Sequence, residues 1–342
     1  MPFIKEILDY GSLSIVGLEK NTGKTECLNY ILGRLPLDKI KVAVSSIGID
    51  GEKTDQVTRS SKPEIFLREG VFFTTSEKHY RQRKILSELV SVSDEHTSLG
   101  RLVTARAITA GKVMLSGPPA TASLRRWINE CKKDFGIDLC IIDGALSRLS
   151  PASPAVSESM VLATGAALSL SQGDLVNKTL FVVQLLELDV CNTSLPFELT
   201  GKEGGVWLYD FEKNMLYSLF ESAFTFKEKT EEKIIGGDII FVAGALTDRL
   251  LNRIDADKYL RGKELVVRDF TKIFVSPRTF RGFVKKGGRV SVLAKSKLIA
   301  ICVNPLSPAG YKMDSESICK EIAQKSGLPV FDIFKIDKEQ WR

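Results

Sequence analysis

Gly23-Lys24-Thr25 closes the stretch SLSIVGLEKNTGKTECL, residues 12–28. A short apolar strand, a polar turn and the start of an amphipathic helix follow one another there, the order that a phosphate-binding loop needs. In such a loop the backbone N–H groups of the turn surround the phosphates, which points to Gly17, Asn21, Thr22 and Gly23 as cofactor-binding positions. Lys24 reaches the β/γ-phosphates and the Thr25 hydroxyl holds Mg²⁺. The helix beginning near Lys24 turns its positive dipole end towards the same anion. The usual pattern is G-x-x-x-x-G-K-[ST], and here Leu18 stands where its first glycine belongs, with Gly17 one residue earlier. Glycine serves that position by adopting dihedrals other residues avoid, so the turn geometry is expected to differ. The competing reading is a helix N-terminus that happens to carry Gly-Lys-Thr. The strand before and the helix after favour nucleotide binding, with ATP or GTP and Mg²⁺ as the implied cofactors.

Two acids follow the strands that such a site requires. The run IKVAVSSIGID, residues 40–50, reads as a strand buried on both faces that ends in Asp50. Ligands of open α/β sheets bind beyond the carboxyl ends of the strands. Asp50 is therefore a candidate Mg²⁺ ligand, direct or through water, or a carboxylate that orients an attacking group. Asp-Gly is equally a common turn dipeptide, and Asp55 is a secondary candidate in the same loop. The run DLCIIDGALSRLSPASPA, residues 138–155, places Asp143 at the end of a second buried strand, as a Walker B aspartate is presented to Mg²⁺. Lys24, Asp50 and Asp143 are the catalytic candidates. Gly144 would let backbone pass close to a phosphate, and Arg148 either neutralises phosphate charge or is an ordinary surface arginine. Asn304, in the loop after the strand SKLIAICVN, is a candidate base contact, against the plainer reading of a Pro-ordered loop.

The elements that must position these residues belong to an α/β fold. We expect a mostly parallel sheet flanked by helices, of P-loop NTPase type, with antiparallel hairpin extensions. Residues 24–34 form a helix with Cys27, Leu28, Ile31 and Leu32 on one face, stopped by Pro36. Hairpins are expected at 64–75, turning at Glu69-Gly70, and at 100–118, turning near Ala110-Gly111. Residues 77–92 are helix-like, 121–136 form a helix, and 155–169 can form one packed through Ala and Gly. The organisation expected is a nucleotide-binding domain over 1–199, an irregular connection over 200–233, and a second α/β half over 234–342 that completes the sheet or forms a smaller domain.

Composition narrows the function classes. The chain has 342 residues, 44% hydrophobic and 26% charged, as in soluble globular proteins. A net charge of +6 suits an anionic ligand, and no basic cluster argues for direct nucleic-acid binding. The six cysteines form no C-x-x-C pair, which removes the usual metal-ligand spacing. His79 and His96 lie in polar surroundings and are expected at the surface. No run approaches membrane-spanning length and the N-terminus lacks a signal-peptide core, so the cytoplasm is the expected location.

With GLEKNTGKT, SIGIDGEKTDQV, GPPATASL and IIDGALSRLSPASPA in view, the chain resembles the small P-loop subunit of the lysine 5,6-aminomutase reactivating factor. These loops span residues 12–170, and the C-terminal half matches only in general layout. The resemblance implies an ATP-dependent factor that works with a MutS-like ATPase partner to free an adenosylcobalamin-dependent aminomutase from damaged cobalamin. It assigns Lys24 and Thr25 to phosphate and Mg²⁺, and Asp143 to the Walker B role. Two other functions fit the same residues: a small-molecule phosphoryl-transfer or ligase-type enzyme, and a nucleotide-binding interaction protein without turnover.

Overall fold

The computed structural model describes residues 3–47, 65–145, 153–154, 156–221 and 237–335. Asp50, Asp55 and Arg148 lie outside the described residues. The chain begins with α1 (Ile4–Ile7), β1 (Ser12–Gly17), α2 (Lys24–Arg34) and β2 (Val42–Ser46). Every residue of β1 and β2 is buried, as strands covered on both faces must be. Next come β3 (Ile65–Leu67), β4 (Phe72–Ser76), α3 (Glu77–Arg81), β5 (Ser87–Thr97), β6 (Gly100–Ala107) and β7 (Gly111–Val113). They are followed by α4 (Thr121–Asp134), β8 (Leu139–Ala145), β9 (Ser159–Gly165), α5 (Gln172–Leu186) and α6 (Phe197–Thr200). The chain continues through β10 (Val206–Asp210), β11 (Met215–Phe220), β12 (Ile239–Val242), β13 (Leu246–Thr247), α7 (Asp248–Ala256), β14 (Glu264–Val267) and β15 (Ile273–Phe274). It ends with α8 (Pro277–Lys285), β16 (Arg289–Val292), β17 (Lys297–Asn304), α9 (Ser315–Ser326) and β18 (Val330–Asp332).

Contacts divide the chain into two compact units, Met1–Leu180 with Ser296–Arg342, and Phe181–Lys295. The first holds a nine-stranded sheet in the order β18-β17-β9-β1-β8-β2-β4-β6-β5. From β18 to β4 all neighbours are parallel, and the β5–β6 hairpin extends the sheet antiparallel beyond β4. The second unit holds a five-stranded sheet, β11-β10-β12-β14-β16, in which β12, β14 and β16 are parallel. The two alternatives for the C-terminal half are thus both realised: β17 and β18 complete the first sheet, whereas the segment before them builds its own. The division falls at 180 and 295 rather than at 199 and 233.

Several local expectations are corrected. Residues 64–75 do not form a hairpin, because β3 pairs with β7 while β4 lies between β2 and β6 in the large sheet. β4 is buried at all five positions, FFTTS, and needs a partner on each side. The helix at 77 stops at Arg81, and the chain becomes β5, paired through a turn at Gly100 (φ 91) with β6. The hairpin around 100–118 is therefore β5–β6, not β6–β7. Residues 159–165 are a strand, not a helix, buried throughout between β1 and β17.

Helices cover both faces of the first sheet. Cys27, Leu28, Ile31 and Leu32 of α2 pack with Leu13, Ile15, Val44 and Ile141 on one face. Leu124, Trp127, Ile128 and Cys131 of α4 pack with Ala43, Cys140 and Ile142 on the other. At the amino end of β1, Glu158 accepts hydrogen bonds from Gly11 N at 2.9 Å and Lys132 Nζ at 2.9 Å. Burial raises the Glu158 pKa, but the Lys132 ammonium, the Gly11 N–H and the Ser12 hydroxyl outweigh it and hold the carboxyl below its ordinary 4.5. A depressed carboxyl stabilises the fold above its unfolded pKa, and that contribution disappears as pH falls through the folded value. Urea titrations between pH 7 and pH 3 are expected to show wild type losing more stability than Glu158→Gln below about pH 4.5. The difference is small because the ion pair is half-exposed.

Candidate functional site

Strand alternation assigns the site residues to one face. Leu13 and Ile15 of β1 face α2, so Gly17 is the next position on that side. Leu139 and Ile141 of β8 join the same cluster, whereas Cys140 and Ile142 face α4. Asp143 therefore follows on the α2 side. The same count brings Ser46 of β2 and Asn304 of β17, after Val44 and Cys302, to that face. β8 lies directly between β1 and β2, and Asp143 stands in register with Ile15 on one side and Ser46 on the other. The carboxyl ends of β1 and β17 thus meet the N-terminus of α2, with Asp143 of β8 beside β1.

The turn from Gly17 to Lys24 is built around missing side chains. A Cβ on Gly17 would lie 2.7 Å from Lys24 Cγ and Cδ and 2.6 Å from Thr22 Oγ1. The stem of Lys24 therefore folds back across the last residue of β1. Asn21 (φ 62) and Gly23 (φ 90) take left-handed backbone, which Asn tolerates and Gly prefers. Thr22 Oγ1 donates to Glu19 O at 2.9 Å and closes the turn on itself. Gly23 caps α2 without a side-chain acceptor; Lys24 and Thr25 occupy its first turn, where the N–H groups have no partner within the helix. Leu18 is buried at 8% exposure and donates its N–H to Ala163 O at 2.9 Å. It continues the pairing of β1 with β9, and the position that must lack a Cβ is Gly17 instead.

Asn304 closes the turn from the β17 side. Its Nδ2 donates to Asn21 O at 3.0 Å, and its Oδ1 accepts from Leu306 N at 2.9 Å. A Cβ on Gly23 would lie 3.0 Å from Asn304 Cβ, and one on Gly165 would lie 2.1 Å from Asn304 O. Below, Cys27 and Cys302 are in contact, Sγ to Sγ 3.6 Å. The neighbouring Cys302 thiol, then burial, push the Cys27 pKa well above the usual thiol range, and the Asp143 carboxylate adds to that rise. Asp143 Oδ1 is sealed from solvent, and Gly144 beyond it is buried and in register with Val16.

The structure brings together Gly17, Asn21, Thr22, Gly23, Lys24, Thr25 and Asn304, with Asp143 and Gly144 on the strand beside them. Asp50 lies outside the described residues. Among the described residues no group of three or more His, Cys, Asp or Glu side chains gathers as a metal cage. A Mg²⁺ ion held by Thr25 and Asp143 would draw its remaining ligands from water and phosphate, as Mg²⁺ commonly does.

Two features escaped the sequence reading. His79 is buried, not superficial, with Nδ1 at 3.0 Å from the buried Ser116 Oγ, whereas His96 is exposed. Gly117 crosses the end of β2 so closely that a Cβ would fall 1.5 Å from Ser46 O. The Gly-Pro-Pro sequence at 117–119 was the available signal. Among the described residues no helix is long and apolar enough to cross a membrane. Comparison with known protein families, with curated proteins and with solved structures found no match.

Two glycines separate crowding from backbone preference. Gly117→Ala is expected to destabilise the fold by about 3 kcal/mol or more, because backbone must move. Gly33→Ala, on an exposed position of α2 with nothing within 4 Å, is expected to stabilise it by about 0.5–1 kcal/mol. Denaturant unfolding of both variants measures the contrast.

Proposed function

We propose that this chain binds the triphosphate of ATP or GTP with Mg²⁺ at the Gly17–Thr25 turn. The observation that carries the reading is the Lys24 stem lying across Gly17, in space that no Cβ could share. That packing lays the side chain back along a turn whose N–H groups and helix dipole attract an anion. In this reading Lys24 neutralises β/γ-phosphate charge, the turn amides hold phosphate oxygens, and Thr25 and Asp143 hold the metal. Bound Mg²⁺ would supply charge neutralisation across the phosphates. Phosphoryl transfer needs little beyond such positioning and electrostatics. In keeping with the resemblance in its loops, the nucleotide would drive reactivation of an adenosylcobalamin-dependent lysine 5,6-aminomutase, together with a MutS-like ATPase partner.

The test has two stages. Mg-ATP at about 100 times its dissociation constant is expected to stabilise wild type by about 2.7 kcal/mol, and Lys24→Ala is expected to abolish the thermal shift. ATP turnover is then measured with and without purified aminomutase and the partner. Stimulation by the mutase, lost in Lys24→Ala, supports reactivation. Unchanged reactivation by Lys24→Ala removes that role, and turnover indifferent to the mutase favours a small-molecule acceptor.

A further inference from the structure

Resting on the nucleotide reading, we infer that Asn304 is a positioning residue for the phosphate-binding turn and not a reader of the base. Its side chain is 9% exposed at the end of a buried strand. Oδ1 is engaged by Leu306 N, and one Nδ2 hydrogen by Asn21 O. An amide offers two N–H donors and a carbonyl with two lone pairs, so one hydrogen and one lone pair remain, on a group already held at both ends. The bond to Asn21 O has a defined consequence for the turn. In a trans peptide the carbonyl and the following N–H point in opposite directions. Holding the Asn21 carbonyl towards β17 therefore turns the Thr22 N–H away from it and keeps it there. The same side chain rests against Gly23, whose left-handed backbone (φ 90) sets the direction in which α2 starts. The backbone of Asn304 is fixed independently, since its carbonyl accepts from Ala166 N at 2.9 Å and crowds Gly165. Strand β17 thus acts as a rigid post, and the asparagine transmits its position to the turn.

A brace acts on every ligand that uses the turn, whereas a base contact distinguishes one nucleotide from another. Calorimetric titration of the full chain with Mg-ATP, Mg-GTP and pyrophosphate, for wild type, Asn304→Ala and Asn304→Asp, separates the two. Asn304→Ala is expected to weaken all three ligands by a common factor of about 5- to 10-fold, because the bond that braces Asn21 O is lost along with the Leu306 N–H bond that orients the amide. The ATP-to-GTP ratio is expected to stay at the wild-type value. Asn304→Asp keeps the acceptor for Leu306 N but has no donor for Asn21 O, and is expected to weaken all three at least as much. In the nucleotide-free variants, amide hydrogen exchange at residues 21–24 is expected to accelerate. Melting curves check that each variant folds, with Asn304→Ser as the substitute if Asn304→Ala does not. Pyrophosphate affinity unchanged while ATP or GTP affinity falls overturns the inference, as does a variant equal to wild type in all three. A wild-type chain that binds none of the three removes the nucleotide reading, and this inference with it.

Discussion

Side chains on a buried strand alternate between its faces, and the arrangement of the large sheet follows from that constraint. β8 and β2 spend their apolar residues on α2 and α4 by turns, and β1 and β17 turn Leu13, Ile15 and Cys302 to the α2 side. The residue that ends the α2-facing row is in each case small or polar: Gly17, Asp143, Ser46 and Asn304. Burial would be costly for these groups in mid-strand. At the carboxyl ends they border α2's N-terminus, where N–H groups and a positive dipole end suit oxygen atoms. The hydrophobic core and the candidate site are therefore two stretches of the same rows.

Within that frame the departure at Leu18 has a mechanical explanation. A turn that lays a lysine stem back across the strand before it needs room beneath that stem and freedom at its last corner. Gly17 supplies the room, and Asn21 and Gly23 supply the left-handed corners. Leu18 serves another purpose, joining the edge of β1 to β9 through Ala163 and burying its own side chain. The position that cannot carry a side chain is thus 17, one residue before Leu18.

Local runs were legible because local physics decides them. The helix at 24–34 and the buried strands within 40–50 and 138–145 follow from periodicity and continuous apolar character. What stayed hidden depends on partners far along the chain. Residues 159–165, SMVLATG, contain small residues compatible with a helix, and only β1 and β17 on either side make them a strand. Ile85, Leu89 and Val92 have near-helical spacing, yet pairing with β6 draws most of that segment into an edge strand. The unit boundary was misplaced for the same reason, since nothing local marks β17 as returning to the first sheet. For Asn304 the loop position was readable, but the hydrogen bond to Asn21 was not.

That bond joins residues 283 positions apart. At ordinary elongation rates of roughly 5–20 residues per second, about 15–60 seconds pass between synthesis of the turn and synthesis of its brace. β1 emerges long before either neighbour, β8 or β9, can pair with it, and the whole of Phe181–Lys295 is made before the sheet can close. The nascent chain must therefore carry an apolar strand with both edges open until β8 and then β9 have been made. Such a segment is a natural client for chaperones and a hazard for edge-to-edge association. The completed turn is accordingly among the last features this polypeptide acquires, and a ribosome-released fragment lacking the C-terminal quarter would hold Lys24 without the strand whose Asn304 bonds Asn21.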